Sequence, residues 1–314
     1  MKNNFFIALV GTIILAIIFP KFGVFLNNLG FVSTLCICFM YVGLGITCDI
    51  SSLTKSFKKA KMHIFTQTFM FIIAPLAGLV IYLIASQFIG YNKSISFFVI
   101  ACLPTTMTSC IMLTKKYDGD YVSALYNGIL AQILAIIMTP LLISIFLKVS
   151  FNIILPLNEI LTSLICTIII PFIIGLFFSK FKNKIGKISS VISFYGIFVL
   201  LFMNFSALIT QEEITFQIYE VLQLILFTFI LALFIMTLVI YLSKLFSFNL
   251  EERICLIFTG TQKTLGMGIP MALIFFANSI ETLLRVQISL ISYYIITMVL
   301  TVLGVTFVKK PQIK

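Results

Sequence analysis

The sequence predicts an all-α membrane protein of ten transmembrane helices, arranged as two five-helix halves with one broken helix in each. Three observations predict it. The 314 residues are 61% hydrophobic and only 10% charged, with a mean hydropathy of +1.18; a soluble domain so composed would expose an apolar surface. Apolar stretches of about 20 residues, the length that spans a hydrocarbon core, recur along the chain. Proline, glycine and small polar residues interrupt two of these stretches, at the same place in each half. Two-residue alternation is absent, which argues against an outer-membrane barrel. In lipid every backbone polar group must be paired internally, and helices do this within one segment.

The spans fall near 5–20, 29–48, 63–90, 95–114 and 121–147 in the first half, residues 1–150. They fall near 156–178, 188–210, 219–246, 252–276 and 286–308 in the second, residues 151–314. The first span opens like a signal peptide, with one lysine before an apolar run. It has no small-residue cleavage site and ends in Ile18-Phe19-Pro20-Lys21, so it reads as a span. No segment is long enough for a soluble domain.

Basic residues set the expected orientation. Sixteen lie on one side: Lys2, Lys55, Lys58, Lys59, Lys61, Lys115, Lys116, Lys180, Lys182, Lys184, Lys187, Lys244, Arg253, Lys309, Lys310 and Lys314. The other side has Lys21, Lys93, Lys148 and Arg285. The richer side is expected to be cytoplasmic and to hold both termini, with the chain in the cell (inner) membrane. The net charge of +11 is then a topology signal. It is split among short loops, so nucleic acid is not an expected partner, whereas anionic inner-leaflet lipid is attracted to it. The expected partners are the lipid bilayer and a small-molecule substrate.

Nearly all of the seven cysteines (Cys36, Cys38, Cys48, Cys102, Cys110, Cys166, Cys255) lie within spans, where cysteine acts as a small apolar residue. Neither a disulfide framework nor a metal spacing is apparent. The single histidine, His63, follows a basic loop and reads as an interfacial residue. Asp49 and Glu159 sit near span ends, where solvation or capping is expected.

An odd number of spans per half inverts the second half relative to the first, a common transporter architecture. The fourth span holds Ala101-Cys-Leu-Pro104-Thr105-Thr106-Met-Thr108-Ser109-Cys110, and the ninth holds Thr259-Gly-Thr261-Gln262-Lys263-Thr264-Leu-Gly-Met-Gly-Ile-Pro270. Lys263 is ten residues past Arg253, roughly 15 Å along a helix. That is half of a core about 30 Å thick, beyond the reach of a snorkelling stem. An ionisable side chain at that depth marks a site. Broken helices free backbone carbonyls for cations and amides for anions, and the threonines, Ser109 and Gln262 add side-chain ligands. A proline kink whose carbonyls are satisfied by hydroxyls is the bland alternative for either stretch alone. Simple kinks are expected at Pro75, Pro140 and Pro171, which lack polar clusters.

A channel would show polar faces along whole helices, and here polarity gathers at the midplane. An intramembrane enzyme would need a catalytic pair; Ser109 with Lys263 is the only serine–lysine arrangement on offer, and a non-enzymatic role is expected. Ser123 and Asn127 lie one turn apart on the fifth span, with Gln67 on the third. Asn204 and Ser206 on the seventh are further candidates for substrate contact, unless they serve helix–helix bonding.

Leu103-Pro104-Thr-Thr-Met-Thr-Ser109-Cys-Ile-Met-Leu-Thr-Lys115, then Gly119-Asp120, Ala124-Leu-Tyr-Asn127 and Thr139-Pro140-Leu-Leu, resemble the first crossing region of the bile acid:sodium symporter family, solute carrier family 10. Thr261-Gln-Lys-Thr264 followed by Gly268-Ile-Pro-Met271 resembles the second, in particular as in the branch of the seventh human member and its bacterial relatives. The resemblance implies that spans 4 and 9 cross. It implies a panel domain of spans 1, 2, 6 and 7 and a core domain of spans 3, 4, 5, 8, 9 and 10. Substrate would bind between them, and transport would be secondary active, by alternating access. It also implies that Asn127 faces the crossover.

The chain departs from the sodium-coupled pattern at three positions. Ser109 and Gln262 match the sodium site, and sodium is the one ion the resemblance implies. The asparagine expected after Ser109 is Cys110, the glutamate expected four residues before Gln262 is Phe258, and the partner of Gln262 is Lys263. A sodium site without its carboxylate loses its strongest ligand, and an ammonium there repels sodium. Four roles for Lys263 stay open: a fixed charge in place of the coupling cation, a proton carrier, a partner for an anionic substrate, or a structural lysine bonded to carbonyls of span 4. A small organic anion is the expected solute; proton-coupled or uncoupled transport and a role in cation homeostasis are the alternatives.

Overall fold

The computed structural model describes residues 2–47, 59–151, 162, 165–210, 217–276 and 279–309. Cys48, Asp49, Lys55, Lys58, Glu159, Lys310 and Lys314 lie outside these. Every regular element among the described residues is a helix. In order they are α1 (Lys2–Ile18), α2 (Pro20–Asn28), α3 (Phe31–Thr47), α4 (Ala60–Ile89), α5 (Tyr91–Ala101), α6 (Met107–Lys116) and α7 (Tyr121–Phe151). Then follow α8 (Ile165–Phe181), α9 (Lys182–Thr210), α10 (Ile218–Leu245), α11 (Leu250–Thr261), α12 (Leu265–Phe276) and α13 (Ile280–Lys309).

Among these residues five helices are long and apolar enough to cross a membrane, within α4, α7, α9, α10 and α13. A sixth is reached if α1 and α2, bent by 93° at their junction, count as one. Predicted spans 4 and 9 are each two short helices, α5–α6 and α11–α12. The first predicted span ends where expected, but Pro20 opens a second helix rather than a connection. Proline suits a first helical turn, because its missing N–H has no partner there.

The proline kinks are resolved unequally. Pro75 and Pro171 each follow a five-residue π-helical turn, Phe69–Ile73 and Ile165–Ile169. Ala74 N–H donates to Phe69 O, five residues back, and the widened turn takes up the clash between a proline ring and the preceding carbonyls. Pro140 instead sits inside uninterrupted α7.

The chain divides into two compact units. The first comprises Met1–Cys48, Ile154–Gln217 and Ile269–Leu284. Here α3 lies against α8 at backbone distance: a Cβ on Gly45 would fall 2.3 Å from Phe172 O, and one on Gly175 would fall 2.2 Å from Val42 O. Gly43 meets the Ser189 and Ser193 hydroxyls of α9 in the same way. Lipid tails are as apolar as leucine, so close approach over small residues is what holds such helices together.

The second unit comprises Asp49–Ile153, Ile218–Gly268 and Arg285–Lys314. Gly78 lets α4 approach α5 at Ala101, and Phe65 packs among Phe69, Phe246 and Phe248. Two ionic clusters stand at helix starts. In one, Lys59 lies 2.7 Å from Asp120 and 3.7 Å from Glu252. In the other, Glu220 binds Lys93 and lies 3.8 Å from Arg285. Lys59 belongs to the basic set expected on the cytoplasmic side, and Lys93 and Arg285 to the opposite set.

Burial alone would raise the Asp120 carboxyl. Donation from the Lys59 ammonium and from the hydroxyl and N–H of Ser123 outweighs it and holds the group below the ordinary carboxylate range. The stability this gives is full above the unfolded value of about 4 and is lost as pH falls through the lowered folded value. Wild type should therefore melt a few degrees above Asp120→Asn at neutral pH, and the gap should close in acid. Thermal unfolding of the purified protein across pH checks this. Gly45→Leu and Gly175→Leu should each abolish recovery of monodisperse protein on size exclusion, because backbone has nowhere to move.

Candidate functional site

The two breaks meet within the second unit. Pro104 has no N–H and disfavours helical geometry at the residue before it, so α5 stops at Ala101 and five residues pass before α6 begins. The carbonyls of Ala101 to Thr105 lose their helical partners while fully buried, and a buried, unpaired carbonyl costs about 1–3 kcal/mol. Each receives a donor from another segment. Lys263 Nζ donates to Ala101 O at 3.0 Å and to Leu103 O at 2.7 Å. Thr139 Oγ1 of α7 donates to Cys102 O at 2.8 Å, and Gln132 Nε2 of α7 donates to Thr105 O at 2.8 Å. Thr264 N–H donates to Pro104 O at 3.0 Å.

The second break, residues 262–264, is shorter and contains no proline. Gln262 is extended (φ −72°, ψ 140°). Its departure from the helix sends Lys263 and the Thr264 amide to the first break. The carbonyl of Thr261 is taken by Tyr293 OH of α13 at 2.8 Å. Gln262 Oε1 accepts from Thr106 at 3.0 Å and Ser109 at 2.9 Å, and these two hydroxyls lie 2.6 Å apart. Gln262 Nε2 donates to Thr301 Oγ1 at 3.3 Å, which fixes the way the amide points. The Thr301 hydroxyl in turn donates to Thr297 O at 2.6 Å.

Of the sequence-predicted residues, the crossing gathers Thr105, Thr106, Ser109, Thr261, Gln262, Lys263 and Thr264. Cys110 is buried on α6; the Thr108 side chain lies outside the described residues. Ser123 is not brought there: its hydroxyl donates to Asp120 at 2.6 Å, at the start of α7. Asn127 is buried one turn further in. Its Oδ1 lies 3.0 Å from His63 Nδ1, and Gln67 Nε2 donates to its carbonyl at 3.3 Å. His63, in the first turn of α4, is 5% exposed and lies against Tyr126 with ring centres 3.9 Å apart. Asn204 and Ser206 are buried on α9 in the first unit, Ser206 where a Cβ on Gly23 would fall.

Sequence reasoning missed Gln132, Thr139, Tyr293 and Thr301. A signal was present, since positions 132 and 139, and likewise 293, 297 and 301, each share one helical face in a lipid-compatible helix.

The acceptors around the Lys263 ammonium are neutral carbonyls. Phe258, where the resemblance implies a carboxylate, is fully buried, with its ring 5.9 Å from Tyr117. Among the described residues no three His, Cys, Asp or Glu side chains gather to hold a metal ion.

The sequence model of the SBF-like CPA transporter family matches residues 3–310. The chain is 26% identical over 261 residues to "Sodium/bile acid cotransporter 7" of Danio rerio, covering 80% of this chain and 76% of that protein. It is 25% identical over 275 residues to the protein of that name in Rattus norvegicus, covering 84% and 78%. It is 21% identical over 287 residues to "Putative symporter YfeH" of Escherichia coli (strain K12), covering 88% and 85%.

Lys263→Met keeps the stem and removes both donors. It should destabilise the protein by about 2–4 kcal/mol, since two buried carbonyls lose their partner. Thr139→Val, which frees one carbonyl, should cost about 1 kcal/mol. Thermal unfolding of the purified variants measures both, and equal stability of wild type and Lys263→Met would show that the carbonyls find other donors.

Proposed function

The chain belongs to the SBF-like CPA transporter family, and from that premise we propose that it is a secondary active transporter of a small organic anion in which Lys263 stands in for the coupling cation. The observation that carries this reading is the ammonium held by Ala101 O and Leu103 O beside Gln262 and Ser109. Carbonyls facing a cation at a helix break are what a sodium site offers. Here the cation is covalently part of the chain and stays through the cycle. Two of the three ammonium N–H groups are used, and the third is the one a bound carboxylate or sulfonate would take.

The two bonds to Ala101 O and Leu103 O can be made by the ammonium or by the neutral amine, so proton carriage is the alternative that the test below separates from the fixed charge. The relatives named as sodium cotransporters support transport as the activity.

The domain reading goes with this proposal. Spans 1, 2, 6 and 7 form the panel and spans 3, 4, 5, 8, 9 and 10 the core, built as two inverted halves. Support comes from the compact units: the first contains α1, α2, α3, α8 and α9 together with Ile269–Leu284, the later part of span 9, and the second contains α4 to α7, α10, α11 and most of α13. The protein sits in the cell membrane with its lysine-rich side and both termini in the cytoplasm, as the sixteen-to-four bias of basic residues supports.

The test uses purified protein and a panel of small carboxylates and sulfonates, in sodium or in choline. An anion that raises the melting temperature should do so equally in both salts, and not at all in Lys263→Ala. Solid-supported membrane currents evoked by that anion should likewise persist without sodium in wild type. Strict sodium dependence in wild type overturns the replacement. Uptake driven by a pH gradient would move Lys263 to the proton-carrier role.

A further inference from the structure

Each broken helix has one half that is fixed at both ends, and the same device fixes it in both cases. In α5, residues Ser94 to Ala101 are all buried. Its third residue, Lys93, binds Glu220 of α10, and Glu220 also faces Arg285 of α13. One turn deeper, the Ser289 hydroxyl of α13 lies 3.2 Å from that of Ser96. At its last residue, Ala101 O receives Lys263. In α11, residues Ile254 to Thr261 are all buried. Its third residue, Glu252, faces Lys59, which also binds Asp120 at the head of α7. Asp120 N–H donates to Glu251 O at 3.1 Å, and the last residue, Thr261, receives Tyr293.

The two clusters occupy corresponding positions with opposite charges. Lys93 and Glu252 are both third residues of the first half of a broken helix. Glu220 stands at the head of α10 and Lys59 before the head of α4. Arg285 stands in the second turn of α13 and Asp120 before the first residue of α7. In each case a helix from one half of the sequence is tied to two long helices from the other half. By contrast, α6 is largely half-buried or exposed, whereas α12 is mostly buried.

We infer that Lys93, Glu220 and Arg285, and reciprocally Lys59, Asp120 and Glu252, are positioning residues for the crossing. They pin the first halves, α5 and α11, so that the carbonyls of Ala101 and Leu103 stay where Lys263 meets them, and movement at the breaks is confined to α6. The inference rests on the proposed function only in taking the crossing as the site. The geometry it concerns is measured without substrate.

The experiment follows Lys263 itself. Full-length protein in detergent is treated with a small, membrane-permeant, amine-acylating reagent, and labelling is read residue by residue by mass spectrometry, with exposed Lys187 as the internal control. Lys263 should be protected in wild type. Lys93→Glu and Glu220→Lys should each raise its labelling several-fold at constant Lys187 labelling. The double variant, which restores the pair between positions 93 and 220 but not the one with Arg285, should recover part of the protection. Lys59→Met should speed amide hydrogen exchange in α11 and leave α6 unchanged. If a charge reversal yields no folded protein, Glu220→Gln carries the same expectation for Lys263 labelling. Unchanged Lys263 labelling in folded single variants, or a double variant no better protected than the singles, overturns the inference. So does exchange in wild-type α5 and α11 as fast as in α6.

Discussion

A carbonyl freed in a dry environment has to be met by a donor, and this constraint organises the second unit. Five consecutive carbonyls, Ala101 to Thr105, leave the helical pattern at Pro104. All five residues are buried, and each carbonyl takes its donor from the protein. Their donors come from α7 and from the second break, where Lys263 and the Thr264 amide lie. The positions of those segments are therefore not independent. Thr139 and Gln132 must face α5 two turns apart on α7, and the second break must lie opposite the first. The crossing is less a pair of kinks than one shared hydrogen-bond network drawn from three segments, in which partial satisfaction would be worse than none.

That network also explains why the second break needs no proline. In the first, Pro104 dictates the loss of helix, and partners follow. In the second, the pull comes from the partners: the Thr264 amide and Lys263 ammonium gain acceptors at Pro104, Ala101 and Leu103 that a continuous helix would deny them. Gln262 completes the exchange by taking two hydroxyls from the start of α6. Its amide can accept from both only because Thr301 holds the other end.

The sequence made some of this legible and left some of it dark, for physical reasons. Composition and apolar length give helices in a membrane, and the residues at Pro104 and Lys263 stand out because lipid makes each of them costly. What the sequence could not express is which carbonyls Lys263 meets, since backbone acceptors carry no letter. Ser123 looked like a neighbour of the site because it lies one turn from Asn127. Asp120, three residues earlier, claims its hydroxyl first, as local side-chain bonds at helix starts commonly do. His63 stands out in the sequence only by its place after a lysine loop; its buried partner, Asn127, lies 64 positions away, a pairing that no local pattern announces. Against the ten expected spans, five or six helices among the described residues are long and apolar enough to cross a membrane; expected spans 4 and 9 are each divided into two short helices by the breaks.

The charge at the crossing decides what kind of ligand it favours. A sodium ion with a carboxylate would be close to neutral whenever loaded and negative when empty. Lys263 among carbonyls differs, because the carbonyls stabilise the positive charge without cancelling it. On the proposed reading the site is positive when empty and neutral only with an anion bound. Loading an anion then removes an isolated charge from a low-dielectric setting, and this favours the loaded state without any cation from solution. The energetic link between ion and substrate, which coupled transport makes through two bound species, would here be built into one side chain. It follows that Lys263 can hold this role only while α5 keeps its carbonyls aimed, and a cation at each end of that helix, Lys93 and Lys263, is how the fold keeps them so.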